Sequence, residues 1–133
     1  MSTKNKITQL RLIYPVEIPL EHEDAFFEKV AYIRASLDEV DGVVVKNQED
    51  VDCYIVLLEH YPDSFVKEIV ELCQGDRAVV CFMPRGLRAP ELILDEIRLR
   101  NTKQSVYLYD DPDEIRRTIE YKLKDSVSRS MFV

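Results

Sequence analysis

Three short polar segments of the sequence carry the residue types that could do chemistry. Each segment follows an apolar run and precedes a stretch with helical spacing, which is where α/β proteins place their functional loops. Carboxylates and imidazoles can transfer protons or attack an electrophile, and guanidinium groups bind anions. The segments are residues 17–24 with Glu17 and His22, residues 59–64 with Glu59, His60, Asp63 and Ser64, and residues 84–90 with Arg85 and Arg88.

Glu68 is the strongest candidate for a catalytic group. It follows the second polar segment by about one helical turn, at the flank of an apolar stripe that contains Phe65, Ile69 and Leu72. We expect a carboxylate at that flank to be partly removed from water and to reach over the strand ends, where it can serve as a nucleophile or a proton donor. The alternative interpretation is a glutamate that stabilises the first turn through the helix dipole.

The third segment is the basic part of this predicted edge. Arg85 and Arg88, next to a helix start, form a candidate anion site, although the glycine-rich motifs of phosphate loops are absent and a solvated loop is the alternative. Glu17 and His60 would complete the ligand-binding set, and the alternative for His60 is a hydrated surface histidine. No Cys or His spacing is typical of a metal site, so we expect neither a metal nor a cofactor.

Apolar strands that alternate with amphipathic helices must position these segments. This alternation of strands and helices predicts a three-layer, flavodoxin-like α/β fold, in which helices cover both faces of a mostly parallel sheet of about five strands. The predicted strands are residues 7–16, 43–45, 52–58, 78–83 and 105–109, and the predicted helices are residues 23–39, 65–75 with Ser64 as cap, 91–100 and 111–123. The first helix ends at a turn at Asp41-Gly42, and the last begins with Asp111 and Glu114 spaced nearly as in a capping box.

The strand at residues 43–45 leaves two alternatives open. Only residues 46–50 separate it from the next strand, and five residues span at most about 17 Å. A parallel crossover normally needs a dozen or more residues. The strand is therefore either antiparallel to the next strand, as in a ferredoxin-like start, or a short stub at the edge of the sheet.

Composition narrows the class of protein. The chain has 133 residues, 46% of them hydrophobic, which suits one domain over residues 1–124 with a tail at 125–133. The net charge of -7 argues against broad attraction to nucleic acids or anionic membranes. The three cysteines lie in apolar surroundings, which indicates reduced thiols and a cytoplasmic protein. No apolar run is long enough to span a membrane.

The stretch from Asp52 to Met83 resembles the nucleoside 2-deoxyribosyltransferase and TIR-like group. It has Asp52 before an apolar strand, Asp63-Ser64 in an acidic loop and Glu68 in the following helix, and the run from Val106 to Ile115 extends the resemblance over residues 52–123. The resemblance implies that Glu68 attacks or stabilises the sugar C1 as an N-glycosidic bond breaks. It also implies that Asp63 helps to hold the sugar.

Three functions remain as hypotheses at this stage. The first is an enzyme that acts on the N-glycosidic bond of a nucleoside or nucleotide, with Glu68 as nucleophile. The second is a module that binds a small anionic or nucleotide-like ligand through Arg85 and Arg88. The third is a non-catalytic interaction or assembly protein, because a sheet that lacks one covering helix would expose apolar surface that a homodimer could hide.

Overall fold

The computed structural model describes residues 7–48, 50–100 and 104–130, with no side-chain description at 99, 100, 104 and 124–130. Strands alternate with helices along the described chain except between the second and third strands, which follow each other without a helix, as the sequence predicts. The elements are β1 (Thr8–Ile13), α1 (Leu20–Asp38), β2 (Val43–Val45), β3 (Cys53–Leu57), α2 (Asp63–Cys73), β4 (Ala78–Pro84), α3 (Glu91–Arg100), β5 (Gln104–Tyr109) and α4 (Asp113–Ser130). The helix α4 continues through residues 125–130, the first part of the predicted tail, and residues 131–133 lie outside the described part.

The five strands form one parallel sheet in the order β2-β1-β3-β4-β5. This topology confirms the predicted three-layer, flavodoxin-like α/β fold. The strand order reverses between β1 and β3, and in open α/β sheets the carboxyl ends of the strands at such a reversal form a crevice. None of the helices in the described part of the chain is both long and apolar enough to cross a membrane.

The strand β2 is short and parallel, so the antiparallel alternative was wrong. Val45, the last residue of β2, and Cys53, the first of β3, both pair with Leu10. The chain therefore only has to cross β1 sideways between them, a distance of about two strand spacings or 10 Å. The segment between β2 and β3, described at residues 46–48 and 50–52 and called the β2–β3 link below, covers that distance. It does not have to run back along the length of a strand, which is why it needs no helix.

Two separate apolar cores lie on the two faces of the sheet. Helices α1 and α4 cover one face, called the α1/α4 face, through Phe26, Ile33 and Ile115. Helices α2 and α3 cover the other, called the α2/α3 face, through residues such as Ile69 and Ile93. The β2–β3 link also lies on the α2/α3 face, where Val51 is only 2% exposed and substitutes for part of the missing helix.

The helix ends confirm some of the predicted caps and correct another. The backbone N–H groups of Asp110 and Asp111 donate to the Glu114 carboxylate, the predicted capping arrangement of α4, and these bonds lower the pKa of Glu114. Gly42 adopts a φ of 80° in the predicted turn after α1. The helix α2 begins at Asp63 rather than after a Ser64 cap, because Pro62 already supplies the φ of the preceding position.

Candidate functional site

A cleft opens on the α2/α3 face at the carboxyl end of β1, and we call it the β1 cleft. Its volume is about 310 Å³. It exists because the β2–β3 link fills less space than a helix would, so part of β1 remains uncovered. Polar side chains reach it from β1, from the β1–α1 loop, from the link and from the start of α2; they are Arg11, Glu17, Asn47, Ser64 and Glu68.

The β1 cleft contains two carboxylates that the sequence singled out. Glu68 lines it from α2 and Glu17 lines it from the β1–α1 loop. Glu68 is exposed to solvent rather than partly buried, because the cleft is open above α2. Asp63 is exposed at the first position of α2 and is not among the residues that line the cleft, although its neighbours Pro62 and Ser64 are.

Arg11 is the cation of the β1 cleft, and sequence reasoning missed it. Residues of β1 alternate between the two faces, so that Leu10 and Leu12 pack in the α1/α4 core while Ile13 packs in the α2/α3 core. Arg11 points to the same side as Ile13 and is half-buried. The sequence does contain a feature that could have indicated it, namely a charged residue within an apolar strand. Such a side chain needs a gap in the helical layer that covers the strand.

His60 lies beside the β1–α1 loop and not among the residues that line the cleft. Its ring stacks on the ring of His22 with centroids 5.6 Å apart, and it meets the edge of Phe26 at 5.3 Å. Its Nε2 is 3.8 Å from the carboxylate of Glu59. The two histidines therefore join the first turn of α1 to the β3–α2 loop, so that two of the predicted polar segments are in contact.

A second polar cluster lies at the carboxyl edge of the sheet on the α1/α4 face. The Lys29 ammonium donates to the Glu59 carboxylate, and both side chains are mostly buried, at 27% and 23% exposed. Tyr109, at 3% exposed, also interacts with Glu59. Burial, followed by the charge of Glu59 and a hydrogen bond to it, raises the pKa of Tyr109. This cluster ties α1, β3 and β5 together and its groups satisfy one another.

The two arginines of the predicted anion site lie apart from the β1 cleft. The Nε of Arg85 donates to both oxygens of Asp110, at 3.1 and 3.2 Å, in the loop that follows β5. Arg88 contributes its backbone carbonyl, which accepts a hydrogen bond of 2.8 Å from the Tyr61 hydroxyl. The bond connects the loops after β3 and β4. Neither arginine is among the residues that line the cleft.

The charged side chains of the β1 cleft differ from the cluster of Lys29, Glu59 and Tyr109, because they pair with no described residue. Within the described ranges, no hydrogen bond or ion pair involves the side chains of Arg11, Glu17 or Glu68. The same ranges contain no group of three or more His, Cys, Asp or Glu residues arranged to hold a metal ion. The cleft therefore offers one guanidinium donor and two carboxylate acceptors to a ligand.

The three thiols of the chain are protected by the core. Cys73 and Cys81 are fully buried, and Cys53 is half-buried in β3. Burial raises the pKa of Cys53 to about 12 and that of Cys73 to about 11, and it raises the pKa of Cys81 as well. These thiols therefore stay protonated and are poor nucleophiles, and none of them is among the residues that line the β1 cleft.

Comparison of the chain with models of protein families, with curated proteins and with solved structures finds no match.

Proposed function

We propose that the protein binds a small, nucleotide-like ligand in the β1 cleft. The observation that carries this proposal is that Glu68 and Glu17 line the same cleft, at the point where the strand order reverses. Small-molecule pockets in proteins have volumes of about 300–1,000 Å³, so the cleft has room for a single small ligand.

The walls of the β1 cleft suit the two halves of such a ligand. The apolar side chains of Pro15 and Val16 lie on one side and offer surface to a base ring. The carboxylates of Glu17 and Glu68 accept hydrogen bonds from sugar hydroxyls, and charge-assisted bonds of this kind are about twice as strong as neutral ones.

The proposal extends to chemistry on the N-glycosidic bond, as the resemblance to the deoxyribosyltransferase group implies. Glu68 would form a bond to the sugar C1 as the C1–N bond breaks, and the departing base would take up a proton from water. A water molecule would then break the glycosyl ester, adding its hydroxyl to C1 and returning a proton to solvent, which regenerates the Glu68 carboxylate. Asp63 is outside the cleft lining, so in this proposal Glu17 holds the sugar in its place. Glu68 is hydrated in the free protein, and a bound ligand would exclude that water from it.

A thermal-shift screen with nucleosides, nucleotides and inorganic phosphate tests the binding. A ligand at one hundred times its Kd stabilises the folded state by about 2.7 kcal/mol, which raises Tm by several degrees. We expect Glu68→Gln to reduce the shift. Glu71→Gln is the matched control, because Glu71 is an exposed glutamate of the same helix. Equal shifts in both variants would contradict the assignment of the cleft.

Release of free base, followed by chromatography, tests the chemical step separately. We expect Glu68→Gln to abolish release and Glu71→Gln to retain it. Binding without any release in the unchanged protein would leave a ligand-binding module and remove the enzymatic part of the proposal.

An assembly role has a different observation in its favour. Val16 and Leu20, on either side of the turn into α1, are 76% and 86% exposed. Apolar side chains that are so exposed and so close in sequence are typical of contact surfaces, and a homodimer would cover them. Light scattering decides this alternative, because the mass of a single chain at high protein concentration would contradict it.

A further inference from the structure

We infer that Arg11 binds an anionic group of the ligand, so that the β1 cleft selects a nucleoside monophosphate over the nucleoside. The inference rests on the proposed function. It assigns a residue to the phosphate group of the ligand, which the carboxylates of Glu17 and Glu68 cannot bind. It also replaces Arg85 and Arg88 as the anion-binding residues.

Arg11 enters the β1 cleft from inside a central strand of the sheet. It stands inside β1 between the buried residues Leu10 and Leu12, and its own side chain is half-buried. A half-buried arginine can keep its guanidinium in contact with water while its stem is covered, so the group stays available to a partner in the cleft. An anion that enters the cleft would supply that partner.

Four other arginines in the described part of the chain pair with carboxylates. Arg77 pairs with Asp50, Arg85 with Asp110, Arg98 with Asp95 and Arg116 with Glu39. Arg11 has two carboxylates in the same cleft, yet neither Glu17 nor Glu68 is within ion-pair distance of it. The cleft thus keeps its positive and negative groups apart.

The separation of charges orients the ligand. A phosphate would be repelled by Glu17 and Glu68 and attracted to Arg11 at the sheet, where a planar guanidinium can donate two parallel hydrogen bonds. The hydroxyls of the sugar would then face the two carboxylates. A neutral nucleoside can satisfy the carboxylates but leaves Arg11 without a partner, so it should bind more weakly.

Calorimetric titration of the full chain tests the inference. The probes are the common nucleosides, each with its 5′-monophosphate, at constant ionic strength. We expect the monophosphate to bind at least about ten-fold more tightly, since a hydrogen bond to a charged group contributes enough to give that factor. Arg11→Gln should remove this preference, so that a nucleoside and its monophosphate bind with similar affinity. Arg11→Lys retains the positive charge but not the planar group with two parallel donors, so it should keep part of the preference for the monophosphate.

Two controls separate the inference from its alternatives. Arg98→Gln removes an exposed arginine of α3 and should leave the preference unchanged. An equal loss of nucleoside and monophosphate binding in Arg11→Gln would overturn the inference, and so would a preference that disappears only in Arg85→Gln with Arg88→Gln. If nucleosides bind through Glu68 but the monophosphate gains nothing, this inference fails and the proposed function stands. If neither probe binds, both fail.

Discussion

The two faces of the sheet treat polar groups in opposite ways. On the α1/α4 face, which two helices cover, Lys29, Glu59 and Tyr109 are brought together and satisfy one another. On the α2/α3 face, Arg11 and Glu68 share a cleft with no partner among the described residues. The difference follows from one missing helix, because the β2–β3 link covers β1 only partly. Polar side chains that lie beneath covering helices pair with one another and stabilise the fold. Polar side chains beside a gap in the helical layer stay without such partners and can bind a ligand.

A matched pair of core substitutions tests this comparison with the largest expected effect. Phe26 is a buried residue of α1 on the α1/α4 face, and Phe65 is a buried residue of α2 that lines the β1 cleft. We expect Phe26→Ala to lower the free energy of unfolding by about 3–5 kcal/mol, because it leaves a closed cavity. Phe65→Ala should cost less, because water and neighbouring side chains can enter from the cleft.

Urea unfolding followed by circular dichroism measures both losses. Val16→Ala is the control for an exposed position and should change the free energy by less than about 0.5 kcal/mol. A loss for Phe65→Ala as large as that for Phe26→Ala would show that the two faces are equally closed.

The polar cluster of the α1/α4 face provides the second test. Glu59→Gln removes the charge that pairs with Lys29 in mostly buried surroundings, and we expect it to lower the free energy of unfolding by about 1–3 kcal/mol. Arg85→Gln is the matched comparison, since its ion pair with Asp110 is exposed, and it should cost less than about 1 kcal/mol.

A double-mutant cycle sharpens the same test. Lys29→Met combined with Glu59→Gln should cost less than the sum of the two single substitutions, because each one alone leaves a charge without its partner. Additive losses would mean that Lys29 and Glu59 do not stabilise the fold as a pair, and the contrast between the two faces would disappear.

Much of the fold can be predicted from local patterns in the sequence, and the reason is visible in α1 and α4. The apolar stripe through Phe26, Val30 and Ile33 is the buried face of α1, and the Asp111-to-Glu114 cap forms as its spacing predicts. Such features depend on residues within one or two turns of each other. They can therefore be predicted without knowing the rest of the structure.

The direction of β2 and the contents of the site depend on longer distances. Val45 and Cys53 both pair with Leu10 of β1. This is set by the register of the strands, which the local sequence does not determine. Arg85 was predicted to bind a ligand, but Asp110, which comes after another strand, pairs with it. Of the predicted site residues, Glu17 and Glu68 share the cleft, whereas His60, Asp63, Arg85 and Arg88 do not line it.

The smallest expected effect is the pH dependence of stability that comes from the thiols of the α2/α3 face. It tests how far the gap over β1 extends into that face. If the gap is confined to β1, the core beneath α2 is dry, and burial there raises the pKa of Cys73 to about 11 and also raises that of Cys81. The unfolded thiols ionise near pH 8.5. A raised folded pKa means that the stabilisation is complete below about pH 8.5 and is lost as the pH rises toward the folded value, by at most about 1.4 kcal/mol per pH unit for each thiol.

Denaturant unfolding between pH 7 and pH 10 measures this loss, and Cys81→Ala should make the decline shallower. Reaction of the native protein with a thiol reagent is the companion measurement, and we expect it to be much slower than in the unfolded chain because the thiolate is scarce and covered. A native thiol at Cys73 or Cys81 that reacts at the unfolded rate, together with an unchanged pH slope in Cys81→Ala, would show that water reaches beneath α2. The gap left by the missing helix would then extend across the face, and β1 would lose its distinction as the place where a ligand enters.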